Sequence, residues 1–198
     1  KADIELGIES NVAEGTALSG VSLDIAKYFD SIPRDIAFKI LDRRGLPAPI
    51  LAVLRSYYEQ HGRTFKGLLG ADGERWTTER GVLQGCSWSV LIALSQMSIW
   101  ADAMDRIGGI DKVVYLDDRM IWSTEEASLM EALRITEEQD RLLGHLSSAK
   151  KCFAFATAGA EINVTMGEEE IKELGQHDSL KYLGAAIGFD GLPHAGLL

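Results

Sequence analysis

The stretch Tyr115-Leu116-Asp117-Asp118 sets the narrowest limit on what this chain can become. It is flanked by Lys112-Val113-Val114 and by Met120-Ile121-Trp122. Both runs are rich in β-branched and aromatic residues, so the segment reads as strand, tight turn, strand. Two adjacent carboxylates at a hairpin tip repel each other, and a divalent cation taking oxygen ligands from both is the usual relief. An ordinary solvated turn also fits the tetrapeptide taken alone, because Asp is a common turn residue. The choice between the two readings rests on what else the chain supplies.

A length of 198 residues, with 46% hydrophobic and 25% charged side chains, suffices for one domain with a proper core or for a large subdomain of something bigger. No apolar run approaches the ~20 residues needed to span a bilayer. The opening residues Lys1-Ala2-Asp3-Ile4-Glu5 are not a signal peptide, and the missing initiator Met suggests a fragment of a longer protein. Cys86 and Cys152 stand far apart in unlike contexts. They form neither a disulfide framework nor a metal site, so a reducing, intracellular compartment is expected. A net charge of −10 argues mildly against a free-standing nucleic-acid binder. Glu125, Glu126, Glu131, Glu137, Glu138 and Asp140 share one helical stretch, and Glu168, Glu169 and Glu170 form a second cluster. Solvated outer faces explain such runs best. The four histidines, His61, His145, His177 and His194, are scattered and carry no assigned role.

Hydrophobic periodicity predicts a helix over 2–18 and a short strand over 20–25. Ser31 is a plausible N-cap, with Pro33 in the first turn, for a helix carrying Ile36, Ile40 and Leu41; a second helix over 49–60 turns Leu51, Leu54 and Tyr58 inward. Residues 63–69 and 74–79 read as a hairpin joined by Gly70-Ala71-Asp72-Gly73. A loop over 81–87 leads to the most apolar helix, 88–107, expected to be buried. After the hairpin, Thr124 caps a long amphipathic helix with Leu129, Leu133 and Leu142 on its apolar side. Strands follow at 151–155 and 162–164, and a last one opens at Leu180 and runs through Ile187. The irregular alternation of helices and hairpins points to an α+β fold, a sheet with helices on one face, rather than a doubly wound parallel sheet.

Two further stretches carry chemistry. Asp24 ends the apolar strand 20–25, where a carboxylate is either a cap or a ligand at the sheet edge. In Arg80-Gly81-Val82-Leu83-Gln84-Gly85-Cys86-Ser87, two glycines bracket an uncharged amide directly before a helix. Glycine lets backbone approach a ligand closely, and helix N-termini favour phosphate. A serine-capped loop explains the same residues without a ligand.

Taken in order, LDIAKYFDSIP at 23–33, GVLQGCSWSVL at 81–91 and YLDD at 115–118 resemble motifs A, B and C of reverse transcriptases. The likeness is nearest to the group II intron, retron and non-LTR retrotransposon types. Ser148-Ala149-Lys150-Lys151 resembles the end of motif D, and LKYLG at 180–184 resembles motif E. The motifs span about 21–33, 80–91, 115–118, 144–153 and 180–184. The resemblance implies a polymerase palm filling 1–198, an antiparallel sheet with helices packed on one face. It implies two Mg²⁺ ions, with Mn²⁺ as an alternative, held by Asp24, Asp117 and the backbone carbonyl near Ile25, with Asp118 in support. Phe29 matches the aromatic that blocks a ribose 2′-hydroxyl. Gln84, Gly85 and Arg80 fall in the nucleotide-binding loop. Lys151, with Lys150 as a rival for register, matches the lysine that protonates pyrophosphate. Tyr182 and Gly184 match the primer grip. The implied partners are an RNA template, a DNA primer, dNTP and the remaining fingers and thumb subdomains, with no membrane.

There are departures from the pattern. Val90 stands where the family has Pro, and Ser148 where motif D often has Asn. Few residues precede Asp24 to build basic fingers, and no thumb follows. These motivate a second expectation: a catalytically inactive, truncated palm acting as a nucleic-acid or protein binding scaffold. A nucleotide cyclase ranks low, because no Gly-Gly-acidic hairpin is present. Only Phe29 and the motif wording argue against an RNA-templated RNA polymerase.

Overall fold

The computed structural model describes residues 14–60, 62–64, 73–157, 162–166, 169–175, 179–182 and 185–188. Strand β1 (Ser19–Leu23) is the middle of the main sheet. It runs antiparallel to β5 (Asp118–Ser123) on one side and to β6 (Phe153–Ala156) on the other. Strand β4 (Asp111–Tyr115) pairs with β5 as a hairpin, and short β9 (Lys172–Leu174) joins β6 in parallel. The order is therefore β4–β5–β1–β6–β9. The sheet is antiparallel as expected through its four main strands, with β9 added in parallel at the edge.

Side chains alternate across a strand, so β1 sends Val21 and Leu23 to one face and Gly20 and Ser22 to the other. On the first face Val21, Leu23 and Ile121 pack against helices α4 (Ser87–Met104) and α5 (Glu126–Leu143), through Trp100, Leu129 and Leu133. Trp100 is wholly buried, and its Nε1 donates to Thr136 Oγ1 at 2.9 Å, joining the two helices by a polar contact inside the core. On the opposite face Leu18, Met120, Trp122, Phe155 and Leu174 form a smaller cluster. A third cluster gathers Tyr28, Phe38, Leu54, Tyr58, Val82 and Met97. It ties the single turn α1 (Tyr28–Ser31), α2 (Arg34–Arg43) and α3 (Ala48–Gln60) to α4.

The structure departs from the sequence expectations mostly at element ends. Of the helix expected over 2–18, residues 2–13 lie outside the described residues, and 14–18 are a turn followed by irregular chain. Ser31 does not cap a helix. It closes α1, and its Oγ donates to the Tyr28 carbonyl at 2.9 Å and lies 2.7 Å from His145 Nδ1. Helix α2 buries Ala37, Phe38 and Leu41, while Ile36 and Ile40 are only half-buried. Helix α3 buries Leu51, Leu54 and Tyr58, as the periodicity predicts.

Thr124 makes no cap. Glu125 is the N-cap residue of α5, and its N–H is taken by Ser123 Oγ at 2.9 Å. Leu142 is 65% exposed rather than on the apolar side, and Asp140 is 4% exposed rather than on a solvated face. Helix α4 is only partly buried: Trp88, Val90, Leu94 and Ile99 stay exposed. The 63–69/74–79 hairpin is seen as the short pair β2 (Gly62–Arg63) and β3 (Trp76–Thr77), with 65–72 outside the described residues. Residues 162–164 are not a strand; the pair β7 (Thr165–Met166) and β8 (Glu169–Glu170) follows them. The last expected strand is a hairpin of β10 (Ser179–Tyr182) and β11 (Ala185–Gly188). Both cysteines are free thiols, and no helix among the described residues is long and apolar enough to cross a membrane.

Gly20 marks how tightly the central strand is packed. An added Cβ there would overlap the Phe155 ring and stand 2.8 Å from the Ile121 carbonyl oxygen. Gly20→Ala is expected to cost about 1–3 kcal/mol by overpacking. A chemical-denaturation curve should show a lower midpoint at unchanged slope.

Candidate active site

The site forms where β1 ends beside the β4–β5 turn. The last β1–β5 pair is Leu23 opposite Arg119, so Asp24 emerges one step later, alongside Asp118 and the turn residue Asp117. Leu116 occupies the turn at φ 57°, a left-handed conformation that is strained for a bulky residue. Its side chain packs against the cluster around Tyr28 and Val82, which holds the turn in place.

The backbone around Asp24 is tied on its other side. The Asp24 carbonyl accepts from Ser148 N at 3.0 Å, its N–H points to Cys152 Sγ at 3.4 Å, and Ala26 N donates to Leu146 O at 2.8 Å. Ile25 forms an isolated antiparallel bridge with Ser147. In such a bridge, closed by the flanking residues, the N–H and C=O of Ile25 itself face the opposite way, toward the β5 edge. Burial pushes the Cys152 thiol up, so it is a packed group behind Asp24 rather than a nucleophile.

Three carboxylates and one ammonium meet here. Lys151 Nζ lies 3.4 Å from Asp24 Oδ1, although that oxygen is buried and makes no well-formed hydrogen bond. The pair is thus a charge contact without directional bonding, and Lys151 itself is 67% exposed. Burial, then the charge of Asp24, holds the Asp117 carboxyl above its ordinary range, against a hydrogen bond from its own backbone N–H and the pull of Lys151 and Arg119. Asp118 is raised by burial and then by Asp117 and Asp24, with Lys151 opposing. Raised carboxyls beside further charged groups at a strand edge mark a candidate functional site. The donors are hard oxygens suited to Mg²⁺ or Mn²⁺, and the buried Asp24 Oδ1 lacks a hydrogen-bond donor, so the residues fit a divalent cation. Among the described residues, however, no three His, Cys, Asp or Glu side chains converge closely enough to ligate one ion together.

The motif A turn and the glycine loop are knit by backbone bonds. Val82 N donates to Phe29 O at 2.7 Å, and Gly81 N to Ile32 O at 2.8 Å. Gly81 sits at φ 86°, where a Cβ would press to 2.8 Å from the Asp30 carbonyl oxygen. Its close approach is therefore to the chain's own backbone. Phe29 is half-buried, with its ring edge-on to Tyr28 at 5.8 Å. Gln84 and Gly85 are exposed at the loop tip, and Gly85 needs its φ of 85° there. The Arg80 guanidinium donates to the carbonyls of Ser31 and Leu143, bracing the loop to the end of α5. Tyr182 is in β10 opposite Ala185, and Gly184 lies outside the described residues.

Sequence reasoning missed Arg119 and Asp140, which form a buried two-pronged ion pair at 2.9 and 2.7 Å under the hairpin. The signal was present. Asp140 falls on the face of Leu129, Ala132, Leu133 and Thr136, and Arg119 opens a strand of buried residues.

A five-stranded sheet with helices on one face and carboxylates at the end of its central strands defines a nucleotidyl polymerase palm. The chain belongs to the reverse transcriptase (RNA-dependent DNA polymerase) family, whose sequence model matches residues 4–187. Its fold is similar to that of apo telomerase from Candida tropicalis truncated from its C-terminal domain, at TM-score 0.67 and 13% identity, over 95% of this chain and 38% of that one. It is also similar to telomerase from Candida albicans in complex with a TWJ fragment of telomeric RNA, at TM-score 0.65 and 14% identity, over 100% of this chain and 34% of that one. The chain thus spans little more than a third of the length of these structures.

Because Asp117 and Asp118 are raised in the folded state, the native chain binds their protons more tightly than the unfolded chain does. That stabilising contribution is complete below the ordinary carboxylate pKa of about 4 and is lost as pH rises through the elevated values. At neutral pH without divalent cations, Asp118→Asn should therefore melt above wild type. The gain should shrink as the pH is lowered toward 4, read by thermal unfolding in chelator.

Proposed function

We propose that this chain is the palm domain of an RNA-directed DNA polymerase. It would transfer a deoxynucleotidyl group from dNTP to a primer 3′-hydroxyl on an RNA template. What supports this reading is the register of β1 on β5, which brings the Asp24 backbone alongside the Asp117-Asp118 turn, with Lys151 Nζ 3.4 Å from Asp24 Oδ1. Asp24, Asp117 and the Ile25 carbonyl are assigned as holders of two Mg²⁺ ions, or Mn²⁺, with Asp118 supporting. When bound, such ions lower the pKa of the 3′-hydroxyl and neutralise triphosphate charge. The protein's share is positioning and a fixed field.

Phe29 would stand against the sugar edge and reject a 2′-hydroxyl by clash. Its carbonyl bond to Val82 fixes it relative to the loop that presents Gln84 and Gly85 to the nucleotide and template. Arg80 holds the Ser31 and Leu143 carbonyls through Nε and Nη2, which leaves Nη1 to join Gln84 and Gly85 in contacting the nucleotide. Lys151 is exposed on a long stem, so it can leave Asp24 once that charge is neutralised and give a proton to the departing pyrophosphate. Lys150 is the alternative in register. Tyr182 and Gly184 would contact the primer. RNA binding by the telomerase in the complex described above supports an RNA template here. Fingers and thumb subdomains would complete the enzyme, and the motif wording favours the group II intron, retron or non-LTR retrotransposon type. A second reading, an inactive palm serving as a binding scaffold, is favoured by the net charge of −10.

Asp117→Ala in the full polymerase is expected to lower primer extension by about 10³-fold or more, the loss of several kcal/mol of charge stabilisation. Extension at the wild-type rate would refute the metal-site assignment, and wild-type protein that extends no primer would favour the scaffold. Phe29→Ala should cut discrimination against ribonucleotides by about 10- to 100-fold, a scale set by removing one steric wall. Side-by-side single-nucleotide incorporation of dNTP and rNTP measures it.

A further inference from the structure

We propose that Arg119 and Asp140 form a positioning unit that holds the Asp117-Asp118 hairpin against the Asp24 strand end and so sets how Asp24 and Asp117 present themselves to divalent cations. This rests on the cation-holding role proposed above for those acids. Arg119 directly follows Asp118, and strand alternation sends its side chain to the helix-covered face of the sheet. There it is wholly buried and bonded through two nitrogens to Asp140 at 2.9 and 2.7 Å, with the guanidinium carbon 5.6 Å from the Trp100 ring centroid.

Asp140 is reached from the other catalytic segment as well. Ser147 Oγ donates to Asp140 Oδ2 at 3.3 Å, and Ser147 is the bridge partner of Ile25. Leu146 and Ser148, on either side of it, bond the backbone of Ala26 and Asp24. One buried carboxylate therefore bonds Arg119, next to the hairpin acids, and Ser147, in the segment that is bridged to the strand end carrying Asp24. The helix end that bears it is closed by His145 N donating to the Asp140 carbonyl at 2.8 Å.

A restraint is needed here. Asp24, Asp117 and Asp118 repel one another, and the turn that presents two of them is strained at Leu116. The β1–β5 ladder ends at Leu23–Arg119, so beyond that pair the backbone alone does not oppose splaying. A buried ion pair is weak support for stability, because well-packed apolar residues of similar volume often do as well or better. What the pair adds is direction: a planar guanidinium fork donates two parallel N–H bonds to a carboxylate in one orientation.

The test uses Arg119→Leu/Asp140→Leu, which removes the direction while leaving no unpaired buried charge, and Ser147→Ala, which cuts only the link to the Asp24 side. The readouts on the full chain are the thermal midpoint in chelator, Mn²⁺ affinity by calorimetry without nucleic acid, and kcat and KM for dNTP in primer extension. The expected result for the double variant is a near-wild-type midpoint, Mn²⁺ affinity weakened about 10- to 100-fold, and a fall in kcat with little change in KM. Ser147→Ala should weaken Mn²⁺ binding by about 2- to 10-fold, the scale of one hydrogen bond. A folded double variant that binds Mn²⁺ as wild type does overturns the proposal. If the double variant does not fold, Ser147→Ala decides by the same measure: unchanged affinity and kcat overturn the proposal, and a fall upholds it. Wild-type chain that binds no Mn²⁺ fails at the earlier step, the cation reading, and takes this one with it.

Discussion

Carboxylate repulsion at the end of one pair of strands is the constraint the rest of this structure answers to. The register of β1 on β5 carries Asp24 to the side of Asp117 and Asp118, and both hairpin acids are held above their ordinary pKa, first by burial and then by neighbouring carboxylates. Nothing about local folding favours this. The turn adopts a conformation costly for leucine, and the central acid has a buried oxygen without a hydrogen bond. Such conflicts between local preference and global structure persist where the surroundings over-determine them. Here the surroundings are the packed Leu116 side chain, the backbone ties at Ser148 and Leu146, and the ion pair under the hairpin.

The nucleotide-facing side follows the same logic of backbone holding side chain. The turn from Phe29 to Ile32 and the glycine loop are far apart in sequence but are joined by two main-chain hydrogen bonds, one to each of those residues, that only a glycine at position 81 lets close. Arg80 extends that junction to the end of α5. Shape at the proposed sugar edge thus depends on main-chain contacts, which many different side chains can support. That fits a fold kept at TM-scores of 0.65 and 0.67 with telomerases at only 13–14% identity.

Strong periodicity was legible in the chain, and element ends were not. Leu51, Leu54 and Tyr58 face inward as their spacing predicts, because one helix face must be buried whatever packs on it. Ser31 and Thr124 are reasonable caps by residue type, yet neither caps. Competing partners won: the Tyr28 carbonyl for Ser31, and Ser123 for the start of α5. Asp140 was assigned to water because charge in a helical acidic run usually is solvated; Arg119, 21 residues earlier on the adjoining strand, pairs with it and makes its burial possible.

By itself the chain determined the order of its motifs, the strand–turn–strand around Asp117 and Asp118, and the apolar faces that cover the sheet. These follow from local geometry and from side-chain period, which need no knowledge of distant partners. Which strands became neighbours, that Asp24 faces the hairpin acids, that Lys151 rests on Asp24, and that Arg119 found Asp140 were settled only when the sheet closed. Each of those depends on contacts between residues far apart in sequence, and their energies exist only in the packed, low-dielectric interior that the whole fold creates.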